Sequence, residues 1–309
     1  MSSFVKRETR MIKAVIDMGT NTFNLLIART TENSFEPLLS TKEGVALGMG
    51  GINKNIIAED AWMRAFVCLD NFKRYCDKWE VESLVVVGTS SIRGATNASK
   101  FIKQVDQFLN TKTIIVDGRK EAELIYHGVC WSHQFTDSAL IIDIGGGSTE
   151  FICADKTGIL NLESFEIGVS RVFQKFEFSD PMTSEQVAII EEFFEQNAGD
   201  FIDSLNCKTL IGASGSFESL YELIYKLPFP KEIALIDLDL PILIKYLDKM
   251  IFSTIEEREE NQYIIPIRRK MMHITSVKIR WVINRMKANK VVISPCSIKE
   301  GALMYYPIK

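Results

Sequence analysis

Two distant segments of this chain read alike. Residues 14–28, AVIDMGTNTFNLLIA, align with residues 140–154, LIIDIGGGSTEFICA, placing Asp17 on Asp143, Gly19 on Gly145, Thr22 on Ser148 and Ala28 on Ala154, a constant offset of 126. In each, an apolar run enters an acid and a glycine-bearing polar turn, then leaves as a second apolar run. That is the pattern of two buried strands joined by a tight hairpin. A second pair keeps the order: LVVVGTSSIRGAT (84–96) lies against TLIGASGSFESL (209–220), with Gly88 on Gly212 and Ser90 on Ser214, at an offset of 124. A third pair, TIIVDGRKEAELI (113–125) and KVVISPCSIKEGALM (290–304), sets Glu121 on Glu300 at an offset of 179, so roughly 55 further residues precede the last strand of the second half. Ordered self-similarity of this kind points to a duplication. The expected architecture is two α/β domains, each a hairpin-led sheet with crossover helices, whose polar turns face each other across a cleft.

The second turn says what the cleft is for. Consecutive backbone N–H groups in a glycine-rich turn, next to Ser148 and Thr149, make a concavity suited to anions. Asp143 and Glu150 flank it. Two acids beside an anion site make sense only with a cation between them. As oxygen ligands they suit Mg²⁺ (or Mn²⁺), which takes one or two carboxylates and completes its shell with water and substrate phosphate. Asp17, the counterpart of Asp143, is a further candidate ligand. Phosphates would be held by Asn21 and Thr22 of the first turn, by Gly145, Gly146 and Ser148 of the second, and by Gly212, Ser214, Gly215 and Ser216 of GASGS. Arg93 is a candidate neutralising charge, its planar fork matching phosphate.

Between the strands, residues 58–79 place Trp62, Ala65, Phe66, Leu69, Phe72 and Cys76 on one helical face, and 97–110 is a shorter amphipathic helix. TSEQ (183–186) is a capping-box start for a helix through about Phe194, residues 213–226 form another, and the remainder before the last strand is mostly helical. Residues 268–290 carry eight cations and no acid, either a stripe that a polyanion chain could follow or a solvated helix face. With a net charge of −4, nucleic-acid binding through global charge is not expected, so an anionic ligand must be held by local amides and a few cations. The six cysteines form no CxxC pair and read as reduced thiols in a core. No apolar stretch approaches 18 residues and the first residues carry no signal-like core, so a cytoplasmic protein without a membrane partner is expected.

DMGTNTFNLLI, GTSSIRGATN, GRKEAELIYHG, DIGGGSTEF and GASGS, in this order and spacing, resemble the exopolyphosphatase / guanosine pentaphosphate phosphohydrolase family of the actin-like ATPase superfamily. The resemblance runs from about residue 12 to 306 and implies a short two-domain form. Its fold class is α/β, two duplicated actin-like (ribonuclease H-like) domains with mixed sheets facing a central cleft. Domain I is residues 1–122, with 299–309 returning to it, and domain II is 123–298 with a helical insertion. The implied activity is Mg²⁺-dependent hydrolysis of the terminal phosphate of polyphosphate or of guanosine pentaphosphate (pppGpp), with a homodimer as the candidate assembly. The resemblance sets Glu121 at the position of a water-activating glutamate, opening a helix; the nearby Glu123 points elsewhere. Two departures stand out: Ala46 where the family commonly has arginine, and Lys270 where it commonly has an acid. An actin-like ATPase or small-molecule kinase, and a non-catalytic alarmone-binding protein, remain as alternative readings.

Overall fold

The computed structural model describes residues 10–213, 215–230 and 232–306. Among the described residues, eleven strands fall into two sheets. The first contains β1 (Met11–Met18), β2 (Thr22–Thr30), β3 (Phe35–Gly44), β4 (Ser83–Gly88) and β5 (Thr113–Ile115), in the order β3-β2-β1-β4-β5. The second contains β6 (Ala139–Ile144), β7 (Thr149–Asp155), β8 (Gly158–Phe165), β9 (Thr209–Gly212), β10 (Ile236–Leu238) and β11 (Lys290–Ile293), in the order β10-β11-β9-β6-β7-β8. Apart from β10, the two orders are the same. Three antiparallel strands lead each sheet, and two parallel strands follow through helical crossovers. The sequence duplication is therefore a duplication of topology.

Ladder register corrects the offset of the second pair. Lys13 lies beside Ser83 on β4, and Ala139 lies beside Thr209 on β9, so these strands too are related by 126. Gly212 thus corresponds to Val86 rather than Gly88. The two-residue slip preserves which side chains face which side, because strand side chains alternate with period two. Hydrophobic patterning could not detect it.

Helices α1 (Glu59–Lys78), α2 (Ser90–Arg93) and α3 (Ala98–Leu109) belong to the first half, and α4 (Gly118–Val129) follows β5. In the second half come α5 (Val169–Lys175), α6 (Ser184–Asp203), α7 (Gly215–Tyr225), α8 (Leu240–Ile251), α9 (Ile255–Glu260), α10 (Pro266–Arg269) and α11 (Met272–Met286), before α12 (Ile298–Tyr305) ends the described chain. The segment α8–α11 is the helical insertion, and α6 runs two turns past Phe194. The central strands are apolar on both faces. Ala14, Ile16 and Met18 of β1 pack with α1 and α3, while Val15 turns to the other side. Leu140, Ile142 and Ile144 of β6 pack with α6, α7 and α11, while Ile141 turns away.

Those turned-away faces meet in a third core, filled by α4 and α12. The two helices cross at Gly128 and Gly301. A Cβ on Gly128 would sit 1.9 Å from the Ser297 carbonyl oxygen, and one on Gly301 would sit 1.8 Å from that of Leu124. Only glycine allows backbones this close. The buried Lys13 Nζ donates to the carbonyls of Leu303 and Tyr306, holding the end of α12 on β1. Among the described residues no helix is long and apolar enough to cross a membrane.

Residues 268–290 do not form one continuous basic surface: Lys270, Lys287 and Lys290 are exposed, while the cations of α11 between them are interior or paired. α11 is buried almost all round, and Lys278 is fully buried, donating to Thr149 Oγ1 at 2.7 Å and to the Ile167 carbonyl. Burial pushes its ammonium down to about 7. Arg280 is paired with Asp248 and Glu191, and Arg285 with Glu195 and Asp203.

Candidate active site

The two hairpin turns face each other. Ser170 Oγ at the start of α5 donates to Asn21 Oδ1, and a Cβ on Gly146 would fall 2.7 Å from the Asn21 side chain, so the side chain of one turn lies directly on the backbone of the other. Further ties span the halves: Gly50 N–H donates to Gln174 Oε1 at 2.9 Å, Asn53 Nδ2 donates to the Arg171 carbonyl at 3.0 Å, and Lys42 of β3 pairs with Glu218 of α7. Between the turns opens a cleft lined by Asp17, Asn21, Thr22, Glu121, Asp143, Gly145, Gly146, Ser148, Glu150, Gly215 and Ser216.

The second turn is built to present its amides. Its carbonyls at Gly145, Gly146 and Gly147 accept from the N–H groups of Val169, Ser170 and Gly168 at 3.1, 2.8 and 3.1 Å. The N–H groups of Gly146, Gly147 and Ser148 donate to no backbone carbonyl among the described residues. Free amides, a buried Ser148 hydroxyl and the start of α7 give an anion site.

Four carboxylates converge here, all held toward their neutral forms by burial. Asp143 is pushed up to about 8 by burial and by Glu150 and Asp17, against a 2.7 Å hydrogen bond from Ser297 Oγ. Asp17 is pushed up to about 6 by burial, against a 2.9 Å hydrogen bond from Asn24 Nδ2. Glu150, raised by burial, accepts from Ser164 Oγ at 2.8 Å. Glu121, in the first turn of α4, is raised by burial and by Glu150, against the guanidinium of Arg93 at 2.9 Å. The register explains the strain. Asp143 stands directly opposite Glu150 across β6–β7, whereas the equivalent Asp17 stands opposite Asn24. The first hairpin sets its acid beside an amide that donates to it; the second sets acid against acid, an arrangement that costs stability unless a proton or cation intervenes. The Oδ1 of Asp17 is buried with no hydrogen-bond partner.

Several expected roles resolve differently. Arg93 does not line the cleft. Its Nη1 holds Glu121 and, at 3.0 Å, the Val116 carbonyl, and its Nη2 reaches Glu166 at 3.3 Å, so its fork is engaged by carboxylates beside the cleft. Gly212 lies under the ring of Phe217, where a Cβ would clash at 2.2 Å, and is not cleft-lining. Ser214 lies outside the described residues. Glu123 pairs with Arg119 and Lys120 away from the cleft, as expected. Three cleft cations escaped the sequence reading as site residues: Lys42, Arg268 and Lys299. They come from β3, α10 and the start of α12, remote from the glycine motifs, and only the topology brings them together. Arg268 packs against the backbone of Gly215 and donates to Ser219 Oγ at 2.6 Å. Ala46 adopts φ +49° and, like Val45, donates its N–H to the Asn21 carbonyl, bracing the first turn. Lys270 is exposed.

Two α/β halves of matching topology facing one cleft are the architecture of the actin-like ATPase superfamily. Within it the chain belongs to the Ppx/GppA phosphatase family, whose model matches residues 26–306. It is 30% identical over 214 residues to a guanosine-5'-triphosphate,3'-diphosphate pyrophosphatase of Aeromonas hydrophila, covering 68% of this chain and 43% of that protein. The chain thus spans less than half the length of this curated relative. A solved exopolyphosphatase from Cytophaga hutchinsonii is 33% identical with a TM-score of 0.91, over 95% of this chain and 96% of that one. The Ppx/GppA enzyme of Aquifex aeolicus has the same fold, with 23% identity and a TM-score of 0.79 over 96% of this chain and 100% of that one.

Proposed function

We propose that this protein is a divalent-metal-dependent exophosphatase that hydrolyses the terminal phosphoanhydride of inorganic polyphosphate or pppGpp. The observation that carries this reading is Glu121, buried at the cleft between two phosphate-type turns and held by Arg93 at 2.9 Å. A terminal phosphate fits the amides of Gly146, Gly147 and Ser148, with Lys42, Arg268 and Lys299 supplying positive charge. Glu121 orients a water and takes its proton as the water oxygen bonds to phosphorus and the bridging P–O bond breaks, releasing orthophosphate and the shortened chain. Arg93 serves two ends here: it fixes the carboxylate and opposes the burial that would keep it protonated. No aromatic side chain lines the cleft among the described residues, so recognition falls on phosphate rather than on a stacked base.

A Mg²⁺ or Mn²⁺ ion fits Asp143 and Glu150, with Asp17 behind them, because these hard oxygen donors are otherwise mutually repulsive and one is unpartnered. Among the described residues no three such side chains converge tightly enough to hold a metal alone, so water and substrate phosphate would complete the shell. When bound, the ion would neutralise charge on the phosphoryl oxygens.

The test is phosphate release from long-chain polyphosphate, pppGpp and ATP assayed side by side, with and without chelator. Release from the first or second that a chelator abolishes is expected. Preferential release from ATP favours the ATPase reading, and binding of pppGpp without release favours an alarmone-binding protein.

A further inference from the structure

Lys278 has no role in the reaction as described, yet it is a fully buried ammonium with no ion-pair partner among the described residues, and the Phe194 ring lies 4.7 Å from Nζ. Burying an unpaired charge is costly, and an apolar side chain would fill the same space without that cost. Its two acceptors are informative. Thr149, whose Oγ1 accepts at 2.7 Å, directly follows the glycine turn. Ile167, whose carbonyl also accepts, directly precedes Gly168–Arg171, the stretch whose N–H groups hold the turn's own carbonyls. A Cβ on Gly168 would lie 2.3 Å from the Gly146 oxygen, so this stretch lies flat on the turn. One ammonium therefore ties together the segment that leaves the turn and the segment that braces it.

We propose that Lys278 is a positioning residue for phosphate binding: it fixes residues 145–148 from behind and so sets the direction of their free amides. This rests on the exophosphatase reading only in naming the ligand. The substitutions are Lys278→Met, which keeps length and volume, and Thr149→Val, which severs only the tie on the turn's side. The readouts are thermal unfolding, calorimetric affinity for tripolyphosphate with Mg²⁺ in the Glu121→Gln background, and steady-state hydrolysis of tripolyphosphate. Lys278→Met should unfold within a few degrees of wild type or higher, yet bind tripolyphosphate about tenfold or more weakly, with a matching rise in KM. Thr149→Val should lose less, and the double variant no more than Lys278→Met alone. Unchanged affinity and KM in both single variants overturns the proposal. So does weakened binding that appears only with a lowered unfolding temperature and that Thr149→Val does not share. If Lys278→Met fails to fold, the affinity of Thr149→Val decides. A wild type that binds tripolyphosphate without hydrolysing it defeats the exophosphatase reading, while the affinity comparison still judges Lys278; no binding by wild type defeats both.

Discussion

Glu121 combines burial, an adjacent acid and one arginine, and these pull its carboxyl in opposite directions. A base of this kind contributes roughly 10²–10⁴-fold in rate. Glu121→Gln keeps the size and the helix start but cannot take a proton, so kcat should fall within that range with KM little changed. A variant keeping more than about a tenth of wild-type kcat would move the base elsewhere, with Asp17 next in line. Glu123→Gln should be nearly silent, since its partners Arg119 and Lys120 lie outside the cleft. Arg93→Lys is the informative neighbour. A lysine cannot span Glu121, the Val116 carbonyl and Glu166 at once, so a kcat loss of about tenfold with KM unchanged is expected. The sequence showed a planar cation near a glycine motif, and a guanidinium fork suits carboxylate as well as phosphate. Two acids meet that fork: Glu121, and Glu166, an exposed acid before α5 that nothing in its local sequence marks out.

At the scale of elements, the crossing of α4 and α12 is the most exacting contact. Gly128→Ala or Gly301→Ala drives a methyl into a backbone carbonyl, which cannot rotate aside. A loss of roughly 2–4 kcal/mol is expected, read as a lowered denaturation midpoint. Because these helices fill the core between both sheets, the loss should appear as one transition for the whole protein rather than melting of one half. Two separate transitions would show that the shared core does not couple the halves. The hairpins were legible because the acid, the glycines and the flanking apolar runs recur locally. α11 was not. A helix buried on nearly every side has no polar face to betray its setting, and Lys278, Arg280 and Arg285 read equally as a path for a polyanion chain or as a solvated helix face, when one is fully interior and the others are paired.

The whole molecule gathers negative charge into one dry place, and that makes its stability sensitive to pH. Asp143 titrates near 8 in the folded protein, well above its ordinary value of 3.8. Between those values the native state holds a proton that the unfolded chain has released, so stability falls as pH rises, by up to about 1.4 kcal/mol per unit. His273 acts in the opposite sense. Burial, with Arg258 nearby, lowers it to about 3, so its contribution is lost as pH falls below about 6.5. The two slopes offset one another below pH 6.5, and substitution separates them. Without divalent metal, Asp143→Asn should gain stability relative to wild type progressively from about pH 4 to 8, as followed by denaturant unfolding. Mg²⁺ needs the ionised carboxylates, so it should stabilise wild type more at pH 8 than at pH 6 and Asp143→Asn far less at either. A Mg²⁺ effect equal in both proteins, or independent of pH, would place the cation away from the second hairpin and leave Asp143 and Glu150 as a pair that shares a proton.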